Sequence, residues 1–254
     1  MSACFTAAAV LLAGCGTEPA SLSGARPQVT VAAAANLTQV FQAIAPRFEA
    51  ASGIHPVFSF GSTAQLAQQI ENGAPFDVFT AADAEHPEQL DRKGLLARGS
   101  LAVYARGILA LWVPPGVEAS IERIADLAKP SVRFIAIAKP ELAPYGQAAV
   151  ETLRRAGIWN RVEPKVVYAE NINVARQYGQ SHNADAVFTA YSLVLHEPGK
   201  VMPVDEGLHQ PILQELGIVA ASKRQEAARK FADFLLRGDG REILRESGYS
   251  LPVQ

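Results

Sequence analysis

Four short turns carry residues that suit the binding of a small anion, and each stands where a predicted strand passes into a predicted helix. They are Ala34-Ala35-Asn36-Leu37, Gly61-Ser62-Thr63-Ala64, Ala143-Pro144-Tyr145-Gly146 and Glu170-Asn171-Ile172-Asn173. Apart from one glutamate, their polar side chains are neutral hydrogen-bond donors, and each helix start adds free backbone N–H groups and a partial positive charge. Together the four turns predict an anion site that uses no salt bridge.

Each turn taken alone is explained by ordinary helix capping, because Asn, Ser and Thr begin helices in many proteins. Gln39 follows Asn36 by three residues and Gln65 follows Ser62 by three, so both turns are predicted to form capping boxes. The sequence "GST" at 61–63 lacks the lysine of a phosphate-binding P-loop. The anion hypothesis therefore depends on the whole set of turns.

The segments that position these turns alternate between buried strands and amphipathic helices. The run "VTVAAAA" at 29–35 is typical of a strand in a parallel sheet, and residues 37–48 place apolar side chains on one helical face. This alternation predicts a two-lobed α/β fold with mostly parallel sheets and a hinge. We expect lobe one to contain 29–105 plus 209–254, and lobe two to contain 106–208. Ligands of such sheets bind outside the carboxyl ends of the strands, where the four turns lie.

Several segments of the chain resemble the extracytoplasmic molybdate-binding proteins of ABC importers. They are "VTVAAAANL", "FGSTAQLAQQIENGAPFDVFTAAD", "KPELAPYGQAA", "YAENINVA" and "GYSLP", and they span most of 29–254. The resemblance implies a type II periplasmic binding fold whose lobes close over molybdate or tungstate. It also implies delivery of the anion to an ABC permease, with the metal held through its oxygens and no direct bond to the protein.

The resemblance implies ligand contacts in lobe one at two polar positions. Asn36 and Thr63 match residues that contact the oxyanion, with Ala35 and Ser62 beside them. Ala35 departs from the pattern, since some members of the family have a hydroxyl residue there. In this lobe, molybdate would therefore be held through its oxygens by Asn36 and Thr63.

The resemblance implies two further contacts in lobe two. Tyr145 matches a tyrosine that reaches the oxyanion in one branch of the family, and Ile172 matches a position that offers its backbone N–H. Asn171 is included in the predicted site as the neighbour of Ile172. Thr189 stands where another branch has its ligand tyrosine, so Tyr145 is expected to supply the phenol in this chain.

The chemistry of the turns agrees with a fully ionised tetrahedral oxyanion. Such an anion carries no proton at neutral pH and needs only donors, which neutral dipoles provide in a dry site. Phosphate is partly protonated and would need an acceptor such as aspartate. None of the four turns contains an aspartate, and Glu170 is the only carboxylate in them. The alternative is a binding protein of the same fold for a different anion, such as sulfate, thiosulfate or a phosphonate, which would differ in pocket radius and in the placement of the donors.

The N-terminal residues predict export. The segment 1–15 is apolar over Phe5–Ala13 and ends in a lipobox-like Leu12–Cys15, so we expect a signal with Cys15 as a lipid-modified residue, or a signal that is simply cleaved. Residues 16–28 are predicted to be a tether, rich in Pro, Gly, Ser and Ala. The expected location is extracytoplasmic, in the periplasm or on the outer face of the cell membrane.

Composition and motifs argue against several other functions. With 23 basic and 25 acidic residues and a net charge of −2, the chain is not expected to bind nucleic acid. Ser62 has no nucleophile motif around it, and the five histidines lack metal-ligand spacing, so we expect no enzyme and no cofactor. A ligand-sensing domain of a transcription regulator would need a DNA-binding motif for which the chain has no room. We expect a monomer.

Overall fold

The computed structural model describes residues 26–117 and 120–252. The predicted signal at 1–15, with its lipidation site Cys15, lies outside the described residues. So does the predicted tether up to residue 25.

The described residues form ten strands in two five-stranded sheets. In chain order the strands are β1 Gln28–Ala34, β2 His55–Gly61, β3 Val78–Thr80, β4 Ala102–Gly107, β5 Leu109–Val113, β6 Ile135–Ala138, β7 Val166–Ala169, β8 Ala186–Ala190, β9 Lys200–Pro203 and β10 Ile212–Ile218. The first sheet has the order β2-β1-β3-β10-β4 and the second the order β7-β6-β8-β5-β9. Each sheet is the centre of one lobe, so the predicted two-lobed α/β architecture is present.

The sheets are mixed rather than mostly parallel. Strands β2, β1 and β3 run parallel in the first sheet, and β7, β6 and β8 run parallel in the second. The remaining strands pair antiparallel, namely β10 with β3 and β4, and β5 with β8 and β9. The chain passes from lobe one to lobe two between β4 and β5, and it returns between β9 and β10. The strands next to these two crossings are the antiparallel ones. A strand that reaches a sheet from the other lobe is not bound by the parallel βαβ pattern.

Nine α-helices cover the sheets in the described residues. They are α1 Thr38–Ser52, α2 Thr63–Glu71, α3 Glu85–Arg92, α4 Pro144–Arg155, α5 Trp159–Val162, α6 Ile172–Gln180, α7 Tyr191–Val194, α8 Gln225–Arg237 and α9 Asp239–Glu246. Helices α2, α4 and α6 each follow a parallel strand of their lobe. No helix in the described ranges has the length and apolar character that crossing a bilayer requires.

The core of lobe one shows how the C-terminal helices hold the parallel strands. Phe231 on α8 meets Phe41 and Phe48 of α1 nearly edge to face, with ring centroids 5.7 and 5.1 Å apart. Phe58 of β2 packs on the same ring at 6.0 Å. Such aromatic pairs stabilise a core beyond the area that they bury. The C-terminal segment thus completes the lobe that the N-terminal strands begin.

Hydrogen bonds join the two lobes across the cleft between them. The backbone N–H of Ala64 donates to the carbonyl oxygen of Leu142 at 3.3 Å. Gln65 Nε2 donates to Glu170 Oε1 at 2.8 Å, which links the first turn of α2 to the residue before Asn171. These bonds bring the helix starts of the two lobes together.

Candidate functional site

A small cavity lies where the two lobes meet, and all seven predicted binding residues line it. The lining comprises Ala34, Ala35, Asn36, Gly61, Ser62, Thr63, Ala82, Ala143, Pro144, Tyr145, Asn171 and Ile172. Its accessible volume is about 10 Å³, close to that of a single water-sized sphere. None of the lining residues carries a charge. The structure therefore brings together the four turns that the sequence singled out.

The sheets explain why these turns converge. Strand β1 ends at Ala34 and passes into a short 3-10 helix, Ala35–Leu37, while β2 ends at Gly61, just before α2. In lobe two, α4 follows β6 and α6 follows β7. All four strands belong to the parallel part of their sheet, so their carboxyl ends face the same side. Each helix start consequently points its free N–H groups towards the cleft.

Thr63 contributes a hydroxyl whose proton is free to bind a ligand. The residue is 1% exposed, and its Oγ1 accepts a hydrogen bond from the backbone N–H of Ala82 at 3.1 Å. Because that bond uses an oxygen lone pair, the O–H proton of Thr63 remains available. Ala82 itself lines the cavity and was not predicted from the sequence.

Tyr145 contributes a phenol in the first turn of α4. Its side chain is buried, and burial raises the pKa of the phenol well above its ordinary value, with a smaller effect from Tyr249. Tyr145 Oη accepts a hydrogen bond from Gln214 Nε2 at 2.9 Å. No residue in the described ranges accepts the phenol proton of Tyr145, which is therefore a free donor at the cavity.

Gly146 explains how α4 comes close enough to place Tyr145. A Cβ atom at this position would overlap the carbonyl group of Ala138 at the end of β6. Any other residue would push the first turn of the helix away from the sheet. The glycine in "APYG" therefore sets the depth of Tyr145 in the cleft.

Ile172 presents its backbone N–H at the start of α6. Asn171 caps this helix, since its Oδ1 accepts from the N–H groups of Asn173 and Val174 at 3.0 and 3.1 Å. The N–H of Ile172 has no acceptor among the described residues. The side-chain oxygen of Asn171 is thus used by the helix, and the donor that the helix start leaves free is the amide of Ile172.

Asn36 lines the cavity, but its side-chain donors are already used. Asn36 Nδ2 donates to Gln214 Oε1 and to Tyr249 Oη, both at 3.1 Å. Its Oδ1 is buried without a partner in the described structure. The residue lies within the 3-10 helix before α1, so the capping box predicted with Gln39 is wrong.

The capping box predicted at Ser62 is also wrong. Ser62 Oγ donates to Gln65 Oε1 at 2.8 Å instead of accepting from the backbone of α2. Gln65 holds this orientation because its Nε2 is bound to Glu170 in the other lobe. The hydroxyl of Ser62 is therefore part of a link between the lobes, and it must turn away from Gln65 in order to donate to a bound anion.

The sequence reading missed three residues that lie behind the cavity. Gln214, Tyr104 and Tyr249 are all buried. Gln214 is hydrogen-bonded to both Asn36 and Tyr145, while Tyr249 is bonded to Asn36 and Tyr104 to Gln214. The pair Gln214-Glu215 inside the otherwise apolar run "PILQELGIV" was the available signal. Thr189, by contrast, is fully buried away from the lining, and its Oγ1 has no partner among the described residues.

The described residues do not bring three His, Cys, Asp or Glu side chains together in a way that would hold a metal ion. The free donors at the cavity are one hydroxyl, one phenol and the N–H groups of helix starts. Such a set stabilises negative charge without forming a bond to a metal. The arrangement can bind a small anion and offers no nucleophile paired with a base.

The chain matches known proteins over nearly all of its described length. Residues 29–250 match the family model described as bacterial extracellular solute-binding protein. The chain is 37% identical to the molybdate-binding protein ModA of Azotobacter vinelandii over 230 residues, covering 88% of this chain and 90% of that protein. It is 34% identical to ModA of Rhodobacter capsulatus, also over 230 residues, covering 90% of each.

A solved structure agrees with the sequence matches. The periplasmic molybdate-binding protein of Azotobacter vinelandii superimposes with a TM-score of 0.84 at 30% identity, covering 89% of this chain and 100% of that one. The predicted two-lobed periplasmic binding fold is thereby confirmed, and a binding role without catalysis agrees with the family description. The chain belongs to the family of bacterial extracellular solute-binding proteins.

Proposed function

We propose that this protein captures molybdate in the cleft between its lobes and delivers it to an ABC permease. The observation that carries the proposal is the composition of the cavity, whose uncharged lining is drawn from helix starts of both lobes. The relatives named as molybdate-binding proteins share about a third of their residues with the chain. Tungstate has the same charge and shape, so the proposal includes it as a second ligand.

The donor set favours an anion that carries no proton. The Thr63 hydroxyl, the Tyr145 phenol and the Ile172 amide all donate, and none of them needs to accept from the ligand. Asn36 and Ser62 also line the cavity. They can donate to the anion through their backbone N–H groups, or through their side chains once these give up their present hydrogen bonds to Gln214, Tyr249 and Gln65. The anion is held through its oxygens, and closure of the two lobes removes water from around it.

The proposal places the protein outside the cytoplasm, in agreement with its family of extracellular solute-binding proteins. We include lipid attachment at Cys15 and a monomeric state, for which the N-terminal sequence and the self-contained two-lobed fold are the support. Substitution of Cys15 by Ala is expected to release the protein from the membrane fraction. Unchanged membrane association of that variant would contradict lipid anchoring at Cys15.

Calorimetric titration of the purified protein with molybdate, tungstate, sulfate and phosphate tests the proposed ligand. We expect one saturable site for molybdate and tungstate, and no measurable heat with sulfate or phosphate. If the protein bound sulfate and not molybdate, the fold assignment would stand, and the ligand would be a different oxyanion from the one proposed. No binding of any of the four anions would contradict an oxyanion-binding function.

A further inference from the structure

Gln214 links the cavity to a buried cluster of polar side chains. The residue lies in β10 and is 0% exposed. Its Oε1 accepts from Asn36 Nδ2 at 3.1 Å, while its Nε2 donates to Tyr145 Oη at 2.9 Å. Tyr104 Oη lies 2.9 Å from Oε1, and its single proton is shared between Oε1 and the carbonyl oxygen of Ala81 at 2.8 Å. A buried amide with both ends bonded has a fixed orientation.

The Asn36 amide, which donates to Gln214 Oε1, decides which way the Tyr145 phenol points. An amide has one accepting end and one donating end, so an Oε1 that accepts from Asn36 Nδ2 leaves Nε2 to face Tyr145. A phenol has a single proton. Because Tyr145 Oη accepts from Gln214, that proton cannot lie along the same contact and is directed elsewhere. The direction of the hydrogen bonds in the cluster thus acts on the cavity through the bond from Gln214 to Tyr145.

Gly107 provides the space for this bond. A Cβ atom at Gly107 would overlap both Tyr145 Oη and Gln214 Nε2. Gly107 is the last residue of β4, where the chain leaves the first sheet. The backbone at the crossing between the lobes is therefore shaped around the Gln214–Tyr145 pair.

We propose that Gln214 is a positioning residue for anion binding, which turns the Tyr145 phenol proton into the cavity and keeps the site composed of donors only. The inference rests on the proposed function and extends it to a residue outside the cavity lining. Gln214 is not among the residues that line the cavity, so it acts through Tyr145. Without its amide, the Tyr145 proton is free to turn back into the buried cluster, and the phenol then presents oxygen lone pairs to the anion.

A double-mutant cycle on molybdate affinity tests whether Gln214 acts through Tyr145. Gln214→Met keeps the length of the side chain and removes both ends of the amide. We expect molybdate binding to weaken about tenfold in Gln214→Met and about 10- to 100-fold in Tyr145→Phe. In the double variant we expect no loss beyond that of Tyr145→Phe, because the group to be positioned is already absent.

Two results of the cycle would overturn the inference. One is wild-type affinity in Gln214→Met, and the other is a double variant in which the two single losses multiply. Gln180→Met is the matched control, since Gln180 is an exposed glutamine whose Nε2 donates to Glu197 at the surface. The Gln180→Met variant is expected to bind molybdate with the affinity of the wild type. Melting curves of each variant identify the temperature at which all of them are folded.

Gln214→Glu provides a second test that does not depend on the methionine variant folding. A buried glutamic acid is neutral at low pH and donates through its O–H, whereas its carboxylate accepts the Tyr145 proton and repels the anion. We expect its molybdate affinity to fall steeply between pH 5.5 and 9, and that of the wild type to stay constant. A flat profile for Gln214→Glu would overturn the inference. If the wild type binds no molybdate, the proposed function fails first, and this inference falls with it.

Discussion

The side chain of Asn173 in lobe two donates to lobe one at two points. Asn173 Nδ2 lies 3.2 Å from the carbonyl oxygen of Ala35 and 2.7 Å from Thr38 Oγ1. Ala35 lines the cavity, and Thr38 is the first residue of α1. The amide therefore fastens the start of α6 to the turn that follows β1, next to the place where the anion would be enclosed.

Replacement of Asn173 by Ala is expected to weaken molybdate binding without altering any donor of the cavity. The two bonds form only when the lobes are together, so their loss disfavours closure by about 1–2 kcal/mol, or roughly 5- to 30-fold in affinity. Calorimetry measures the change. Asn183→Ala is the control, because Asn183 is exposed and donates to Ser181 within its own turn. Equal affinities for Asn173→Ala and the wild type would contradict a role in closure.

Thr63→Val is expected to lower molybdate affinity about 10- to 100-fold, because it removes a donor to a charged ligand and leaves the Ala82 N–H without its acceptor. Thr63→Ser retains the hydroxyl and should bind within a few-fold of the wild type. Thr152→Val is the control for loss of a buried hydroxyl, since Thr152 Oγ1 donates to Ala148 within α4. A Thr63→Val variant with wild-type affinity would show that the hydroxyl does not bind the anion.

Molybdate affinity is expected to be constant between pH 6.5 and 9. The donors at the cavity do not titrate in this range, since burial raises the pKa of the Tyr145 phenol well above its ordinary value and keeps it protonated. Calorimetric titrations at several pH values and constant ionic strength measure the profile. A tenfold loss for each pH unit would instead indicate a titrating group in the site.

Glu215 is expected to make the folded protein less stable as the pH rises from about 4.5 to about 7. Burial, followed by the nearby Glu88 and Asp83, raises the pKa of its carboxyl from 4.5 to about 7. Its Oε2 has no partner in the described structure. The folded state therefore binds more protons than the unfolded state in this interval, and its stability falls as these protons are lost.

The change Glu215→Gln should remove this dependence. We expect the variant to be more stable than the wild type by about 1–3 kcal/mol at pH 8, where the wild type carries a buried charge, and to differ little at pH 4.5. Denaturant unfolding at the two pH values gives the comparison. A wild type that gains stability from pH 4.5 to 8 relative to Glu215→Gln would reverse the predicted sign.

The sequence was sufficient to predict the two-lobed α/β fold and seven of the residues that line the cavity, although it did not predict Ala82. Apolar periodicity identified the strands and helices, and the position of a turn after a parallel strand determines where it lies in the fold. This is why Asn36, Thr63, Tyr145 and Ile172 could be placed in one cleft from sequence position and the family resemblance. The directions of the antiparallel strands were not predictable in this way, because they depend on how the chain returns between lobes.

The hydrogen-bond partners within the site could not be predicted from the sequence. Asn36 was expected to donate to the anion, yet its Nδ2 is bonded to Gln214, which lies 178 positions away along the chain. Ser62 was expected to cap α2, yet its hydroxyl is held by Gln65. Spacing identifies which residues meet, whereas the direction of each hydrogen bond is decided by every other donor and acceptor in the cluster.

The most direct test of the account is the position of molybdenum in crystals of the molybdate complex, measured by anomalous diffraction at the molybdenum edge. The account predicts one strong peak in the cavity between Thr63, Tyr145 and the N–H of Ile172. The anion oxygens should lie within hydrogen-bond distance of these donors, and no protein atom should bond to the metal. A peak elsewhere on the protein, or a protein side chain bonded to molybdenum, would contradict it.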